Sequence, residues 1–328
     1  MSDKSTPVAV EEVYEASERI KDFVHRTPVL TCQAIDSIAK KEDLVFKAEC
    51  FQKTGAFKAR GACNAVFLEK ERNPDSPGIV THSSGNHAQG VAYAAKCAGL
   101  SCSVVIPRDA PKIKCDAIRG YGAELIFCEP SYTSRIDVCA KVASETGKTI
   151  IHSSENCDVI AGQGTVALEF LEEVPDLDAI LVATSGGGML AGVSLTAKAI
   201  QPSCQVYAVE PVGKELQKSL EAKERLWTDP PKYLDTVADS IRLQAVGDTV
   251  FPIICKHAEP MVFTITDDQM IEGMKLIFER IKVVVEPAAG AGVYAAVNCL
   301  ESIVPPLQKV GVILCGGNVD PDALPWST

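Results

Sequence analysis

The pattern of hydrophobic and polar positions along the chain alternates between two periods. Short apolar runs typical of buried strands alternate with stretches in which apolar residues recur at helical spacing. The predicted strands are LVFKAE, GIVTH, SCSVVIP, ELIFCE, TIIHS, AILVAT, QVYAVE and GVILCGG. The predicted helices include an N-terminal one with Val10, Val13, Ile20 and Val24 on one stripe, and GNHAQGVAYAAKCAG, YTSRIDVCAKVASETG, GTVALEFLEEV and GMLAGVSLTAKAI. This alternation predicts an α/β fold with parallel strands, whose ligands bind at the carboxyl ends of the strands.

The alternation also predicts how the chain divides into domains. Residues 78–155 form a compact series of β/α units, which we expect to be a small domain inserted into a larger one. The larger domain then consists of residues 1–77 and 156–328. The stretch 211–262 breaks the alternation and predicts irregular structure.

Composition and charge narrow the class of protein. The chain has 328 residues, 46% of them apolar, and a formal net charge of −11, which argues against nucleic-acid and anionic-membrane partners. The charged N-terminus lacks the apolar core of a secretory signal, so we expect a cytoplasmic protein. Thirteen cysteines without a C-x-x-C pair predict reduced core thiols rather than disulfides or a zinc site.

A single lysine stands out in the segment FQKTGAFKARGACNAV. Lys58 begins a predicted helix, where the helix dipole disfavours a positive charge. Pyridoxal phosphate requires a lysine amine to form a Schiff base, which would give Lys58 a function. The small residues Gly55 and Ala56 leave room for a ring, and Phe57 can line the pocket. From this segment alone, an ordinary surface lysine at a helix start remains the alternative.

A glycine-rich loop, residues 185–188, joins a predicted strand to a predicted helix. Its backbone N–H groups can hold a phosphate at the positive end of the helix. A tight strand-to-helix turn is the simple alternative. A nicotinamide oxidoreductase is a second alternative, because Glu210 follows about 20 residues later, as the acidic residue of a dinucleotide-binding fingerprint does. However, SGGGMLAG does not have the G-x-G-x-x-G spacing.

Two further loops follow predicted strands. The loop SSGNH, residues 83–87, opens a helix whose N–H groups can receive a substrate carboxylate. Within it, Asn86 can bind the 3′ oxygen of the cofactor, and His87 is either a general base or a structural residue. In the other loop, Cys315 precedes two glycines and can face a pyridine nitrogen, or it is a packed core cysteine.

Six segments together carry a family resemblance. KTGAFKARGA, SSGNHAQGVAYAA, IAGQGTVALE, SGGGMLAG, EPAAGAG and CGGNVD, in this order over nearly the whole chain, resemble fold-type II pyridoxal-phosphate enzymes, the tryptophan synthase β-like group. The most similar branch holds serine racemases and the serine and threonine dehydratases. The resemblance implies two three-layer α/β/α domains with mainly parallel twisted sheets, and a homodimer.

The resemblance also implies roles for individual residues. Lys58 would be the Schiff-base lysine, and Ser84 a second catalytic group on the opposite face of the substrate. Arg135, in EPSYTSR, would meet a carboxylate or the β-substituent. The implied cofactor-binding residues are Phe57, Lys58, Asn86, Ser185, Gly186, Gly187, Gly188, Met189, Glu286 and Cys315. The implied substrate-binding residues are Ser83, Ser84, Gly85, Asn86, His87 and Arg135.

The chain departs from the racemase pattern at several positions. Cys315 stands where racemases usually have serine, as in animal serine dehydratases. For the divalent cation of this branch, Glu210 matches the first ligand, but Lys214 and Leu216 occupy the other two positions, which weakens the prediction of Mg²⁺. In the nucleotide site of animal racemases a serine pair is replaced by residues 32–33, which weakens the prediction of ATP activation.

These residues predict a racemase that converts L-serine to D-serine and also eliminates serine to pyruvate and ammonia. The alternative is an L-serine/L-threonine dehydratase, or a β-hydroxyaspartate dehydratase, with little racemisation. Ser84 favours the first function and Cys315 the second. A non-catalytic pyridoxal-phosphate carrier is an alternative of another class, but it would not need Ser84 and Arg135.

Overall fold

The chain folds into two β-sheets with helices packed on their faces. The computed structural model describes residues 7–40 and 43–326, and in these ranges it has twelve α-helices and ten strands. The strands are β1 Val29–Thr31, β2 Asp43–Lys47, β3 Ile79–His82, β4 Cys102–Pro107, β5 Glu124–Cys128, β6 Thr149–Ile150, β7 Ala179–Ala183, β8 Gln205–Pro211, β9 Val262–Ile265 and β10 Lys309–Ile313. The helices are α1 Val10–Ile20, α2 Gln33–Ala39, α3 Lys58–Arg72, α4 Asn86–Ala98, α5 Lys112–Gly120, α6 Tyr132–Thr146, α7 Cys157–Glu173, α8 Gly188–Ile200, α9 Leu216–Ala222, α10 Phe251–His257, α11 Asp267–Leu276 and α12 Pro287–Asn298.

The larger sheet has the strand order β1-β2-β10-β7-β8-β9. Its strands pair in parallel except for the edge strand β1, which is antiparallel to β2. All five residues of β7 are buried, as expected for a central strand covered on both faces. The carboxyl ends of β2, β10 and β7 therefore lie side by side at one edge of this sheet.

The smaller sheet has the order β5-β4-β3-β6, with all pairs parallel. Its strands fall within residues 79–150, inside the predicted small domain. One of its two cores also includes side chains from α1 and α3, among them Ile20, Ala62 and Phe67, which precede that segment. The predicted domain boundaries at residues 77/78 and 155/156 stay a prediction.

All eight predicted strands are present, with small differences at their ends. Strands β1 and β9 were not predicted, because runs of three and four residues are too short to show a period. Helix α1 ends at Ile20, so Val24, the last residue of the predicted stripe, lies beyond the helix. The stretch 211–262 contains two short helices, α9 and α10, between irregular segments. No helix in the described part of the chain is long and apolar enough to cross a membrane.

A buried cluster of charges fixes the start of α3. The fully buried guanidinium of Arg60 donates hydrogen bonds of 2.7–2.8 Å to the carboxylates of Glu49 and Glu169. Lys47 donates to Glu169 at 2.8 Å and to the carbonyl of Thr27 at 2.6 Å. Burial raises the pKa of Glu169, but the two cations outweigh this effect and hold the pKa below its usual value. Two cations and two carboxylates thus balance one another between β2, α3 and α7.

Replacing Arg60 with alanine is expected to lower the free energy of unfolding by about 3–5 kcal/mol, because two carboxylates would stay buried without their main partner. Urea unfolding followed by circular dichroism measures this loss. The matched control is Arg72→Ala on the same helix as Arg60. It removes the ion pair between the exposed Arg72 and Asp158 of α7 and should cost about 0–1 kcal/mol. Equal losses in the two variants would contradict the structural role of the cluster.

Candidate active site

One cavity of about 490 Å³ lies where the carboxyl ends of the two sheets meet. The loops after β3 and β6 line it from the smaller sheet, and the loops after β7 and β10 line it from the larger sheet. Every catalytic, cofactor-binding and substrate-binding residue named from the sequence lines this cavity, whereas Glu210 does not. The residues predicted from the strand-end rule are therefore brought together in one cavity.

Lys58 is the first residue of α3 and points its amine into the cavity. Its Nζ donates to the carbonyl oxygen of Ser153 at 3.2 Å and lies 4.9 Å from the centroid of the Phe57 ring. Burial lowers the pKa of Lys58 to about 8. An amine with this pKa is largely protonated at neutral pH but loses its proton more readily than a surface lysine, as a nucleophile or base must.

The glycine loop forms a cradle at the start of α8. Gly187 has a φ of +92°, and a Cβ atom on Gly186 would lie 2.6 Å from Oγ of Ser154. The loop therefore needs glycine both for its backbone conformation and for space. The first N–H groups of α8 have no partner within the helix and face this space. Such a cradle fits the phosphate of pyridoxal phosphate.

A network of side chains that line the cavity joins the two sheets. Nδ2 of Asn86 donates to Oε1 of Glu286 at 2.7 Å, and Nδ2 of Asn318 donates to Oδ1 of Asn86 at 2.8 Å. Asn318 also donates its backbone N–H to Glu286 at 3.1 Å. Burial raises the pKa of Glu286, whose Oε2 has no hydrogen-bond partner among the described residues. The network orients the amide of Asn86 and leaves its second N–H for a ligand.

Cys315 lies two residues after β10, and its carbonyl accepts a hydrogen bond of 3.1 Å from the backbone N–H of Phe57. Its thiol is buried yet lines the cavity, so it is both a packed residue and a site residue. Burial raises the pKa of this thiol, which therefore keeps its proton. A neutral thiol beside a pyridine ring would not charge the ring nitrogen.

The substrate loop follows β3. Oγ of Ser83 accepts a hydrogen bond of 3.3 Å from the N–H of Gly85, and Ser84 lines the cavity. The ring of His87 is buried, and its Nε2 donates to the carbonyl of Ile151 at 3.0 Å. Because a carbonyl only accepts, Nε2 carries the hydrogen. Burial lowers the pKa of His87 well below its usual value, so this ring is neutral at pH 7.

Arg135 lies on α6 at the other end of the cavity. Its guanidinium is 5.3 Å from the ring centroid of Tyr233, and the guanidinium of Arg242 lies 4.6 Å from the same ring. Nε of Arg135 is buried and has no hydrogen-bond partner among the described residues. Two cations around one aromatic ring make this end of the cavity suitable for an anionic or strongly polar group.

Two histidines at this site were not singled out from the sequence. The rings of His82 and His152 pack edge to face, with their centroids 5.1 Å apart. Burial lowers the pKa of His82 to about 3 and that of His152 to about 4, so both are neutral at pH 7. Nδ1 of His152 accepts from the N–H groups of Ser154 and Glu155, which leaves the hydrogen on Nε2. Both lie at or just past a strand end, the signal that could have identified them.

Other lining residues gave a weaker signal or none. Asn318 directly follows the glycines of the third loop, and that position could have identified it. Tyr233 and Arg242 lie in the stretch that has no periodic pattern. Only the tertiary structure brings these two residues to the cavity.

The comparisons with known proteins agree with this geometry. A family model described as pyridoxal-phosphate dependent enzyme matches residues 20–316. The chain belongs to this family. A serine racemase from Oryza sativa subsp. indica is 42% identical over 314 residues, which cover 95% of this chain and 91% of the relative. Family membership decides against the nicotinamide interpretation of the glycine loop, and the site geometry fits a cofactor held by an amine and a phosphate cradle.

Two solved structures of this pyridoxal-phosphate family superpose closely. A pyridoxal 5'-phosphate-dependent aspartate racemase has a TM-score of 0.96 and 47% identity, covering 99% of this chain and 100% of that one. The maize serine racemase has a TM-score of 0.90 and 41% identity, covering 96% of this chain and 94% of that one. The fold-type II architecture and the enzyme class are thereby confirmed. These comparisons add no support for Mg²⁺ or ATP.

Neutral buried histidines make stability depend on pH in a defined direction. Because the pKa of His82 is lowered on folding, the unfolded chain binds a proton near pH 6.5 that the folded protein does not, and stability falls as the pH drops below this value. We expect His82→Asn to reduce this fall by about 1 kcal/mol per pH unit between pH 6 and 5. Urea unfolding at several pH values measures it.

The matched control for this prediction is His25→Asn, since the side chain of His25 is exposed and does not line the cavity. That variant should keep the pH slope of the unmodified protein. An unchanged slope in His82→Asn would mean that His82 is charged in the folded state.

Proposed function

We propose that this chain is a pyridoxal-phosphate-dependent serine racemase, which converts L-serine to D-serine and eliminates serine to pyruvate and ammonia as a second reaction. The observation that carries the proposal is the meeting of Lys58 and Ser84 in one cavity beside the glycine cradle. The serine racemase among its relatives supports the choice of substrate.

The cavity offers separate groups for each part of the cofactor. The N–H groups of residues 186–189 would hold the phosphate, and Lys58 would hold the aldehyde end. Phe57 would pack against the ring, Asn86 would bind the 3′ oxygen, and Cys315 would face the ring nitrogen. When bound, the cofactor withdraws electrons from an attached amino acid and makes its α-proton acidic.

Proton transfer on the two faces of the substrate is the task of Lys58 and Ser84. Nζ of Lys58 would take the α-proton of the L-amino acid, helped by its lowered pKa. Oγ of Ser84 would deliver a proton to the opposite face and so form the D-amino acid. The first N–H groups of α4 would bind the α-carboxylate and fix the α-carbon between the two groups.

The same proton removal by Lys58 also serves elimination of the β-hydroxyl. Since the Cys315 thiol stays neutral, the ring nitrogen would not be charged, and transamination would be suppressed. If Ser84 contributes little, the function becomes that of an L-serine/L-threonine or β-hydroxyaspartate dehydratase. The balance between the two reactions is therefore set at Ser84.

Ser84→Ala is expected to lower D-serine formation at least about 100-fold, because loss of one general acid–base group costs about that factor. Pyruvate formation from L-serine should fall less than about tenfold, because Lys58 is intact. Both products are measured in one sample, by chiral chromatography and by a pyruvate assay.

The matched control for Ser84→Ala is Ser144→Ala, an exposed serine on α6, which should keep both rates. If D-serine formation survives in Ser84→Ala, Ser84 is not the second proton-transfer group. If pyruvate is the sole product of the unmodified enzyme, the dehydratase alternative is correct.

A second candidate substrate is aspartate, and the cationic end of the cavity favours it. Arg135 and Arg242 flank Tyr233 there, and Nε of Arg135 lacks a partner among the described residues. A β-carboxylate would give this nitrogen a charge-assisted hydrogen bond. The 47% identical aspartate racemase agrees with this candidate.

Arg135→Gln separates the two substrates. We expect kcat/KM for racemisation of L-aspartate to fall about 10- to 100-fold, the effect of losing a charge-assisted hydrogen bond. The value for L-serine, which carries no second carboxylate, should change less than about threefold. Steady-state rates with each amino acid give the ratio. Equal losses for both would place Arg135 at the α-carboxylate, and no activity on aspartate in the unmodified enzyme would reject the second candidate.

A homodimer in the cytoplasm completes the proposal. The family resemblance supports the dimer, and the formal net charge of −11 agrees with the location. Size-exclusion chromatography with light scattering tests the dimer, which requires twice the 35.0 kDa mass of the chain.

A further inference from the structure

The position expected to bind a divalent cation is built differently in this chain. Glu210, at the end of β8, is buried, and its two oxygens accept hydrogen bonds from the N–H of Leu216 at 3.1 Å and from Oγ1 of Thr264 at 3.2 Å. Leu216 supplies no carboxylate. Within the described residues, no group of three or more His, Cys, Asp or Glu side chains is arranged to hold a metal. The residues present therefore do not fit a divalent cation.

A buried lysine side chain near Glu210 has hydrogen-bond partners of its own. The side chain of Lys214 is fully buried, and its Nζ donates to the carbonyl oxygens of Leu243 at 2.7 Å and Gln244 at 2.9 Å. Carbonyl oxygens beside a carboxylate are the ligands that hard cations take in proteins. Here two such carbonyl oxygens accept hydrogen bonds from the side chain of Lys214, which belongs to the chain itself.

Charge balance supports this arrangement. Burial raises the pKa of Glu210, and the nearby Lys214 acts against this rise. Burial lowers the pKa of Lys214, and the carboxylate of Glu210 acts against this lowering. Both oxygens of Glu210 and Nζ of Lys214 already have hydrogen-bond partners within the protein, so a divalent cation at this position would have to displace these bonds.

The two carbonyls connect Lys214 to the wall of the active site. Leu243 pairs with Tyr233 in a short antiparallel bridge, and the N–H of Leu234 donates to the carbonyl of Arg242 at 2.8 Å. We call residues 232–234 and 242–244 the wall ribbon. It carries Tyr233 and Arg242 into the cavity, so its position sets the cationic end of the site.

We propose that the ammonium of Lys214 is a tethered cation that takes the place of a divalent metal ion and anchors the wall ribbon to the end of β8. Lys214 is thus a positioning residue, and the enzyme is independent of divalent cations. This inference holds for either candidate substrate, because it concerns how the wall is held and not which group the wall binds.

The unmodified holoenzyme gives the first test, with Mn²⁺ as the probe. We expect no stoichiometric Mn²⁺ binding by electron paramagnetic resonance, and the same melting temperature in EDTA, MgCl₂ and MnCl₂. Tight stoichiometric Mn²⁺ binding, or a lower melting temperature in EDTA, would overturn the proposal. Neither measurement depends on turnover, so the result stands apart from the proposed racemase activity.

Removing the charge gives the second test. Lys214→Met keeps the length of the side chain but removes the donor to the carbonyls of Leu243 and Gln244, and it should melt at least about 4 °C lower than the unmodified protein. The control is Lys218→Met, which removes an exposed lysine paired with Glu215 and should leave the melting temperature unchanged. Equal melting temperatures for Lys214→Met and the unmodified protein would overturn the proposal.

Exchange of the tethered cation for a free one gives the third test. The double variant Lys214→Ala/Leu216→Asp empties the position of Nζ and adds a carboxylate, so it should bind Mn²⁺ and gain thermal stability from it. A purely structural lysine would show no such rescue. If this double variant folds and Mn²⁺ neither binds nor stabilises it, the proposal is wrong; if it does not fold, the first two tests decide.

Discussion

Charge compensation in the protein interior is the constraint on which the rest of this structure depends. The guanidinium of Arg60 lies only two residues after Lys58 and is held by carboxylates from two other elements. Because Arg60 cannot move without leaving these carboxylates unpaired, the first turn of α3 is fixed relative to β2 and α7. The reactive amine is therefore presented on a rigid support, as proton transfer at a defined atom requires.

The charges of the other buried groups around the cavity are also compensated or suppressed. The carboxyl group of Glu286 accepts hydrogen bonds from the side-chain amide of Asn86 and the backbone N–H of Asn318, so no counter-ion is needed there. The histidines facing the cavity are kept uncharged by burial, and they can donate or accept hydrogen bonds without titrating near pH 7. The positively charged side chains at the cavity include Lys58 and the two arginines that flank Tyr233. Negative groups of the ligands would lie beside them.

The sequence predicted those parts of the fold and the site that depend on residues close together in the chain. Alternating periods predicted the parallel strands, and small residues or glycines after them marked three loops that do line the cavity, around Asn86, Gly187 and Cys315. Tyr233 and Arg242 could not be predicted, since a ribbon without periodic pattern carries them to the site. From the sequence, Lys214 could be noted only as a departure from the metal-ligand pattern of the racemases. Its function as a donor could not be predicted, because the carbonyls that it contacts lie 29 and 30 positions further along the chain.

Asn86 begins a helix of the smaller sheet, yet its amide is bonded on both sides to residues of the larger sheet. A relative movement of the two sheets that kept these bonds would have to rotate about Asn86. The separation between the two sheets would then be smallest at Asn86 and would increase with distance from it. Because Asn86, Glu286 and Asn318 all line the cavity, it could widen for an amino acid without losing the contacts that orient the amide of Asn86.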